Sequence, residues 1–153
     1  RKPHYNKDTY VKKYGKIAAA AAALSLMTGC ATGLNSIQER EYSAMQAQGV
    51  LVEEKNPTTG AVLGILPGFG SFYAREPGYG FVNLLFWPLS ILWDPVSGYD
   101  GSKTINYDIT KHKLKREMDA ELSALDDKLT VGEIDSAAYI LSKREIEQKY
   151  DFY

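Results

Sequence analysis

A long stretch in the middle of the chain is rich in glycine and almost free of charge, and this feature limits the possible folds more than any other. Eight of the 13 glycines and both tryptophans lie between Gly60 and Gly101. The charged residues between Gly60 and Ser102 are Arg75, Glu76, Asp94 and Asp100. Monomeric proteins rarely expose large apolar patches to water. The stretch is therefore expected to lie in the protein core or against a membrane.

The stretch divides into two apolar segments, residues 61–74 and 79–93, joined by the turn Arg75-Glu76-Pro77-Gly78. At about 1.5 Å per residue, a helix of this length measures about 22 Å, which is short of the ~30 Å hydrocarbon core of a bilayer. Pro67 and Pro88 interrupt the two segments further. Because tryptophan and tyrosine rings are enriched at the headgroup level of membranes, we favour a hairpin that contacts a membrane. A hairpin buried inside a soluble fold is the alternative.

The first segment contains Pro67-Gly68-Phe69-Gly70-Ser71-Phe72-Tyr73, and two further glycines open the second segment. This pattern resembles that of small bacterial domains with two transmembrane segments, whose first segment has a Pro-Gly-x-Gly-x-Phe-Tyr signature. These domains usually have a glycine two residues after the tyrosine, where this chain has Arg75. The resemblance implies a topology and no activity. The residues predicted to form the membrane hairpin are Pro67, Gly68, Gly70, Phe72, Tyr73, Gly78, Gly80, Trp87 and Trp93.

The N-terminal residues have the form of a targeting segment. Residues 1–29 hold six basic residues and one acidic residue, a net charge of +5, which leaves −6 for residues 30–153 out of a total of −1. Such an acidic body argues against a nucleic-acid partner, which needs lysine and arginine on the folded part. An apolar run from Ile17 to Leu26 ends in Met27-Thr28-Gly29-Cys30, as in a secretory signal peptide.

Met27-Thr28-Gly29-Cys30 resembles the lipobox of bacterial lipoprotein precursors, with methionine in the place usually taken by leucine. The resemblance implies that residues 1–29 are a signal peptide cleaved between Gly29 and Cys30, and that Cys30 receives acyl chains such as palmitate. Cys30 would then have no free thiol for redox or nucleophilic chemistry. By the sorting rule of Gram-negative lipoproteins, Ala31 implies the periplasmic side of the outer membrane rather than the inner membrane. An alanine-rich helix that ends at a buried cysteine is the alternative.

A short helix is predicted after the anchor. Ser36 and Glu39 have the spacing of a capping box, and Gly49 supplies a C-terminal glycine. These signals predict a helix over residues 37–48. Residues 50–52, Val-Leu-Val, are expected to form a short strand.

Residues 94–107 are predicted to be a polar connector in which residues 104–107 form a short strand. Gly132 is expected to end the helix that follows, and Asp135 to cap a second one. Steps of three and four between apolar residues predict that both helices are amphipathic. The apolar stripe of the first is Leu114, Met118, Leu122, Leu125 and Leu129, and that of the second is Tyr139, Ile146 and Tyr150.

Together the two helices resemble the SHOCT domain, a small C-terminal module of many otherwise unrelated bacterial proteins. The matching positions are Leu122, Leu125, Leu129, Gly132-x-Ile134, Asp135, Tyr139, Lys143 and Ile146. Because SHOCT domains are associated with oligomerisation or interaction, the resemblance implies a binding role and no catalysis. Two helices this short bury too little surface to be stable alone, so they should pack on another copy, a partner or the body of the protein. The implied interaction residues are Leu122, Leu125, Leu129, Ile134, Tyr139 and Ile146.

No combination of residues suggests catalysis. One cysteine and two histidines provide neither a disulfide framework nor a metal cluster. Residues 98–104 lack the glycine and lysine spacing of a phosphate loop, and His112 lies among lysines without a nucleophile pattern nearby. Asp94, Asp100 and Asp108 lack the spacing of a calcium loop and are expected to be turn or cap residues. We therefore expect no catalytic residue, no metal and no cofactor.

These observations predict a mainly α, lipid-anchored protein with a glycine-rich hydrophobic helical hairpin and a C-terminal amphipathic helical hairpin. The expected parts are the signal peptide (1–29), the anchor and short helix (30–59), the hydrophobic hairpin (60–101) and the SHOCT-like hairpin (102–153). We expect a non-enzymatic protein of the cell envelope that binds membrane lipid and associates with itself or another envelope protein through its C-terminal helices. The alternatives are a subunit of a larger envelope assembly (secretion, flagellar or phage-related) and, less favoured, a small enzyme.

Overall fold

The computed structural model describes residues 33–152, and over that range it consists of α-helices and one 3-10 helix with no β-strand. The prediction of a mainly α fold is confirmed. The predictions for Gly29, Cys30 and Ala31 lie outside the described residues. The elements are α1 (Ser36–Ala47), α2 (Pro57–Leu63), α3 (Phe69–Tyr73), α4 (Pro77–Leu85), the 3-10 helix (Leu89–Leu92), α5 (Asp94–Thr130) and α6 (Ser136–Lys149).

The long helix α5 is the axis of the molecule. Its 37 residues give a length of about 55 Å at about 1.5 Å per residue. α2 runs antiparallel to its first turns, since Gly60 lies against Gly98 and Gly64 lies against Pro95. α3 and the 3-10 helix also pack on this first part of the molecule, whereas the outer part of α5 pairs with α6.

α1 runs parallel to α5 and shares the small hydrophobic core with it. Glu39 pairs with Lys103, and Glu41 pairs with Lys111 further along α5. Residues that follow α6 also reach this core, so the C-terminal end packs on the body of the protein, one of the three arrangements expected. The core consists of Tyr42, Met45, Tyr107 and Leu114, with Leu34, Val50, Leu51, Tyr150 and Phe152 packed against it.

α1 begins and ends one residue earlier than predicted, because Asn35 and not Ser36 is its N-cap. The Asn35 side-chain oxygen accepts hydrogen bonds from the backbone N–H groups of Ile37 (2.9 Å) and Gln38 (3.0 Å). In return, the Asn35 N–H donates to the Gln38 side chain (3.0 Å). This is a capping box made by asparagine and glutamine. Glu39, the partner expected from the sequence, is left to pair with α5.

The prediction of a polar connector over residues 94–107, with a strand at 104–107, is wrong, because all of these residues belong to α5. Two local signals begin this helix. Pro95 has a backbone φ suited to the first helical turn, and the carboxylate of Asp94 suits the positive end of the helix dipole. The same residues are also typical of turns, so the close packing of α5 on α2 decides between the two structures.

The strand predicted at residues 50–52 is also wrong, since residues 50–56 form no strand. Their backbone binds side chains of α5 instead of a neighbouring strand. The Val52 N–H donates to Thr110 Oγ1 (2.9 Å). The Lys55 N–H donates to Asn106 Oδ1 (2.8 Å), and Asn106 Nδ2 donates back to the Lys55 carbonyl (2.7 Å). The fully buried side chains of Asn106 and Thr110 thus make the backbone hydrogen bonds that a neighbouring strand would make in a sheet.

The outer part of α5 and α6 form an antiparallel helical hairpin, and both of its predicted boundary signals are confirmed. Gly132 forms the turn with a left-handed φ of 76°. Asp135 is the N-cap of α6, and its carboxylate accepts a hydrogen bond from the Ala138 N–H (2.8 Å). The Tyr139 hydroxyl donates to the Asp126 carboxylate across the hairpin (2.8 Å). We call residues 115–149 the outer hairpin.

Candidate membrane-contact surface

α2, α3, α4, the 3-10 helix and the first turns of α5 form one unit, which we call the apolar cap (residues 57–99). Within the cap, α2 and α5 are in close contact at glycine residues. A β-carbon added to Gly60 would lie 2.3 Å from the Gly98 carbonyl oxygen, and one added to Gly64 would lie 2.4 Å from the Pro95 backbone. No side chain fits between α2 and α5 at these positions. Small residues allow the same close approach between helices in membranes.

Most glycines of the predicted hairpin lie inside the cap. Gly68 has a left-handed φ of 80°, and a β-carbon there would lie 2.2 Å from the Gly80 carbonyl oxygen. A β-carbon on Gly80 would lie 2.6 Å from the Phe72 ring, and one on Gly70 would lie 2.7 Å from a carbonyl of α5. Gly78 faces open space. These contacts join the short helices α3 and α4 to each other and to the start of α5, whereas the sequence suggested two longer segments.

A polar cluster lies at the centre of the cap. Asp94 is 0% exposed, and its carboxylate accepts hydrogen bonds from the Ser71 hydroxyl (2.5 Å), the Ser71 N–H (3.1 Å) and Asn83 Nδ2 (2.7 Å). The Gly70 N–H adds a longer contact of 3.3 Å. Because a buried carboxylate is costly unless it is hydrogen-bonded, this cluster ties α3 and α4 firmly to the start of α5.

The two tryptophans of the predicted hairpin have different environments. Trp93 is half-buried, and its indole N–H donates to Asn83 Oδ1 (2.8 Å). Trp93 is therefore part of the polar cluster. Trp87 follows α4 and is 61% exposed. Of the two tryptophans, Trp87 is thus the one whose side chain is accessible at the surface of the cap.

The outer surface of the cap is made of large apolar side chains. Leu85 is 81% exposed, Leu92 is 75% exposed and Phe81 is 66% exposed. On α3, Phe72 contacts Phe81 edge to face, with ring centroids 5.3 Å apart. The other exposed large apolar residues of the cap are Val62, Ile65, Leu66, Phe69, Leu84, Phe86, Leu89, Ile91, Val96 and Tyr99.

This distribution of side chains is the reverse of the one that water favours. Water drives apolar surface inward and leaves polar groups outside. The cap instead buries Ser71, Asn83, Asp94 and most of its glycines, and exposes leucine, phenylalanine and tryptophan. A lipid environment favours this arrangement, because polar groups in a bilayer must find partners inside the protein while apolar side chains face the acyl chains.

Charged residues lie at one end of the cap, where α2 and α4 begin, and we call residues 53–55 and 75–76 the charged edge. Arg75 pairs with Glu54, and Tyr73 accepts a hydrogen bond from the Asn56 N–H (3.1 Å). Arg75 has a left-handed φ of 62°, which costs glycine less than other residues. Arg75 therefore keeps a backbone conformation suited to glycine and adds a charge at the base of the cap.

The predicted interaction residues of the C-terminal helices are partly or fully buried. Leu125 is buried, and the others are half-buried. These residues therefore do not form the most exposed apolar surface of the outer hairpin. Different residues are exposed there, namely Val131, Ile140 and Leu141. The half-buried members are Leu122, Leu129, Ile134, Tyr139 and Ile146.

The polar cluster of the cap is not predicted by the local sequence patterns. Asp94 was expected to be a turn or cap residue, and it does lie in the first turn of α5, but its side chain binds α3 and α4. One signal in the sequence points to this role. An acidic residue in a long apolar stretch is tolerated when polar groups nearby can bind it, and Ser71 and Asn83 are polar residues of the same stretch.

A second polar cluster joins α1 to α5 outside the cap. The buried Glu41 accepts hydrogen bonds from the Tyr107 hydroxyl (2.5 Å) and Lys111 Nζ (2.7 Å). The hydrogen bond to Glu41 raises the pKa of Lys111, and burial raises the pKa of Tyr107. Both residues therefore stay protonated at neutral pH, which does not suit a base or a nucleophile. A cavity of about 160 Å³ beside them is lined partly by Met45 and Leu114.

Within residues 33–152, no helix combines the length and the apolar character needed to cross a membrane. Comparison with protein-family models, with curated proteins and with solved structures finds no match. The resemblances to lipoprotein precursors, to the two-segment domains and to SHOCT domains therefore stay predictions.

Proposed function

We propose that the protein is a non-enzymatic, lipid-anchored component of the bacterial cell envelope, whose apolar cap enters a membrane and whose outer hairpin binds a protein. One observation carries this proposal: the cap buries polar side chains and exposes large apolar ones. Asp94 is fully buried while Leu85 is 81% exposed. Lipid around the cap removes the cost of the exposed side chains, and exclusion of water strengthens the internal hydrogen bonds.

The exposed apolar surface is large enough to hold the cap in a bilayer. Burial of one Val, Leu, Ile, Phe or Met side chain is worth about 1.5–3 kcal/mol when it is complete. Because many side chains of the cap are about half-exposed, their transfer into lipid sums to the order of 10 kcal/mol. Stable anchoring of a lipidated protein takes two signals. The cap supplies the second signal beside the acyl chains proposed for Cys30.

A membrane fits this surface better than a protein partner does. The exposed apolar side chains come from five elements, with Val62 on α2, Phe69 on α3, Phe81 on α4, Leu89 on the 3-10 helix and Val96 on α5. Since these elements pack around each other, their outer sides face different directions. A protein surface covers one side of such a unit, whereas fluid acyl chains cover every side.

The outer hairpin supports the second part of the proposal. Val131 is 69% exposed, and Ile140 and Leu141 are also exposed, so an apolar surface remains after α5 and α6 have packed together. Its neighbours are charged residues, as at the rim of many protein interfaces. This observation also favours the second candidate function, a subunit of a larger envelope assembly that is docked through the hairpin.

Flotation with vesicles tests the membrane role separately from lipidation. The Cys30→Ser chain is purified in mild detergent and reconstituted with phosphatidylethanolamine and phosphatidylglycerol. We expect it to float, because the cap binds the bilayer without acyl chains on residue 30. Leu85→Lys combined with Leu92→Lys should reduce flotation at least tenfold, since a lysine in the hydrocarbon region costs about 2.5–3.5 kcal/mol.

The matched control places two lysines at exposed apolar positions of the outer hairpin. Val131→Lys combined with Leu141→Lys in the same Cys30→Ser chain should float as well as the parent. The proposal is overturned if the Cys30→Ser chain stays at the bottom of the gradient. It is equally overturned if the two lysine pairs have the same effect, because the cap would then have no special role.

A further inference from the structure

We propose that the cap enters only one leaflet of the membrane, and that α5 stands out of this leaflet and holds the turn of the outer hairpin about 40 Å from the headgroups. This inference rests on the proposed function and specifies its geometry. The partner is a single leaflet of phospholipids whose headgroups carry positive and negative charges. The contact between this leaflet and the cap ends at the charged edge (residues 53–55 and 75–76).

The height of the cap matches one leaflet. α2 has 7 residues and α4 has 9 residues, which correspond to about 10 Å and 13 Å of helix. Half of a ~30 Å hydrocarbon core is about 15 Å. Both helices begin at the charged edge and end at exposed apolar residues, Leu63 being followed by Ile65 and Leu66, and Leu85 by Phe86. The cap therefore has one polar base and one apolar tip.

The charged edge sets the depth of insertion. Arg75 and Glu54 form an ion pair, and Lys55 lies over the Tyr73 ring with its Nζ 4.5 Å from the centroid. Glu76 is the N-cap residue of α4. Charged side chains are costly in the centre of a bilayer, so these residues belong at the headgroups. Because both signs of charge are present, zwitterionic headgroups suit the edge without an excess of anionic lipid.

The first described residue, Gly33, lies at the level of the charged edge. A β-carbon added to Gly33 would lie 3.1 Å from the side chain of Asp100, which follows the cap on α5. Cys30 is three residues before Gly33, a distance that an extended chain covers in at most about 11 Å. Acyl chains on Cys30 are therefore able to enter the leaflet that receives the cap.

Beyond this level, α5 has the composition of a helix in water. Lys103 pairs with Glu39, and charged residues recur from there to Thr130. The 37-residue helix is unbroken, so its outer part extends about 40 Å past Lys103 at about 1.5 Å per residue. α6 packs along this outer part. The hairpin is consequently held away from the membrane surface.

Spin labels at three exposed positions of the full Cys30→Ser chain test this geometry in phosphatidylethanolamine and phosphatidylglycerol vesicles. The variants are Leu85→Cys at the tip, Glu76→Cys at the charged edge and Val131→Cys on the outer hairpin. Collisions with oxygen report hydrocarbon, and collisions with an aqueous nickel reagent report water. We expect oxygen to dominate at Leu85→Cys, intermediate values at Glu76→Cys, and at Val131→Cys the same nickel access with and without vesicles.

The possible failures are distinguishable. A Leu85→Cys label that stays in water overturns the proposed membrane function itself. A Leu85→Cys label in hydrocarbon together with an equally deep Glu76→Cys label overturns insertion into one leaflet. A Val131→Cys label that loses nickel access when vesicles are added overturns the projecting position of α5, while membrane binding by the cap still stands.

Discussion

The apolar cap and the outer hairpin are organised in opposite ways, although one helix belongs to both. In the cap, α5 contributes Asp94 and Gly98 to an interior of small and polar groups. In the outer hairpin, Leu125 of the same helix is buried, Leu122 and Leu129 are half-buried, and charged residues lie outside. Which side chains of a helix are buried therefore depends on what packs around each part of it, and not on the helix itself.

The largest effect is expected from Asp94→Ala, which breaks the polar interior of the cap. The Ser71 hydroxyl and the Asn83 amide lose their acceptor, and each buried group left unsatisfied costs about 1–3 kcal/mol. We expect the free energy of unfolding in detergent micelles to fall by about 4 kcal/mol. Circular dichroism during chemical unfolding measures this change.

Asp127→Ala is the matched control for Asp94→Ala, because Asp127 lies on the exposed side of the same helix. Its effect should stay within about 0.5 kcal/mol, as for most surface substitutions. Similar losses of stability in the two variants would show that the cap does not depend on its buried carboxylate.

A smaller effect is expected when the glycine contact between α2 and α5 is disturbed. In Gly60→Ala the new β-carbon would lie 2.3 Å from a backbone oxygen of α5, so the two helices must separate at a cost of about 3 kcal/mol. Gly78→Ala should be neutral or stabilising by about 0.5 kcal/mol, because its β-carbon meets open space and alanine favours the helix. Thermal unfolding in micelles compares the two, and equal melting temperatures would contradict the close packing of the cap.

The smallest effect is expected in the outer hairpin. Leu125→Ala removes a buried side chain and should destabilise the hairpin by about 2 kcal/mol. Leu141→Ala, which removes an exposed leucine of α6, should change stability by less than about 0.5 kcal/mol. Hydrogen exchange of the two helices measures both effects. Flotation of the Leu125→Ala chain should match that of the parent, and a loss of flotation would show that the two regions are not independent.

The parts of the fold that could be predicted from the sequence are those with local signals. Gly132 and Asp135 mark the turn and the start of α6, and the spacing of the leucines indicates the outer part of α5. The first part of α5 could not be predicted, because its proline, serine and glycine residues are equally suited to a turn. Its helical state depends on contact with α2, whose Gly60 is distant in the sequence from Gly98.

The candidate site could be predicted in its composition but not in its organisation. The scarcity of charge and the two tryptophans indicated a surface that needs cover. They did not indicate that Asp94 binds Ser71 and Asn83, because these residues lie on three different helices and meet only in the folded chain. The predicted break at Pro67 agrees with the separation of α2 from α3.

The unbroken course of α5 gives the molecule the mechanics of a lever. Its fulcrum is the glycine-packed end, where α2 leaves no slack around Gly98. Its arm extends from Lys103 to Thr130, and residues 50–56 brace the part of the arm nearest the cap. With an arm of about 40 Å, a tilt of about 10° at the fulcrum displaces the far end by about 7 Å. With the cap inserted in lipid as proposed, small changes in the slope or thickness of the lipid layer would become large displacements of a partner bound to the hairpin.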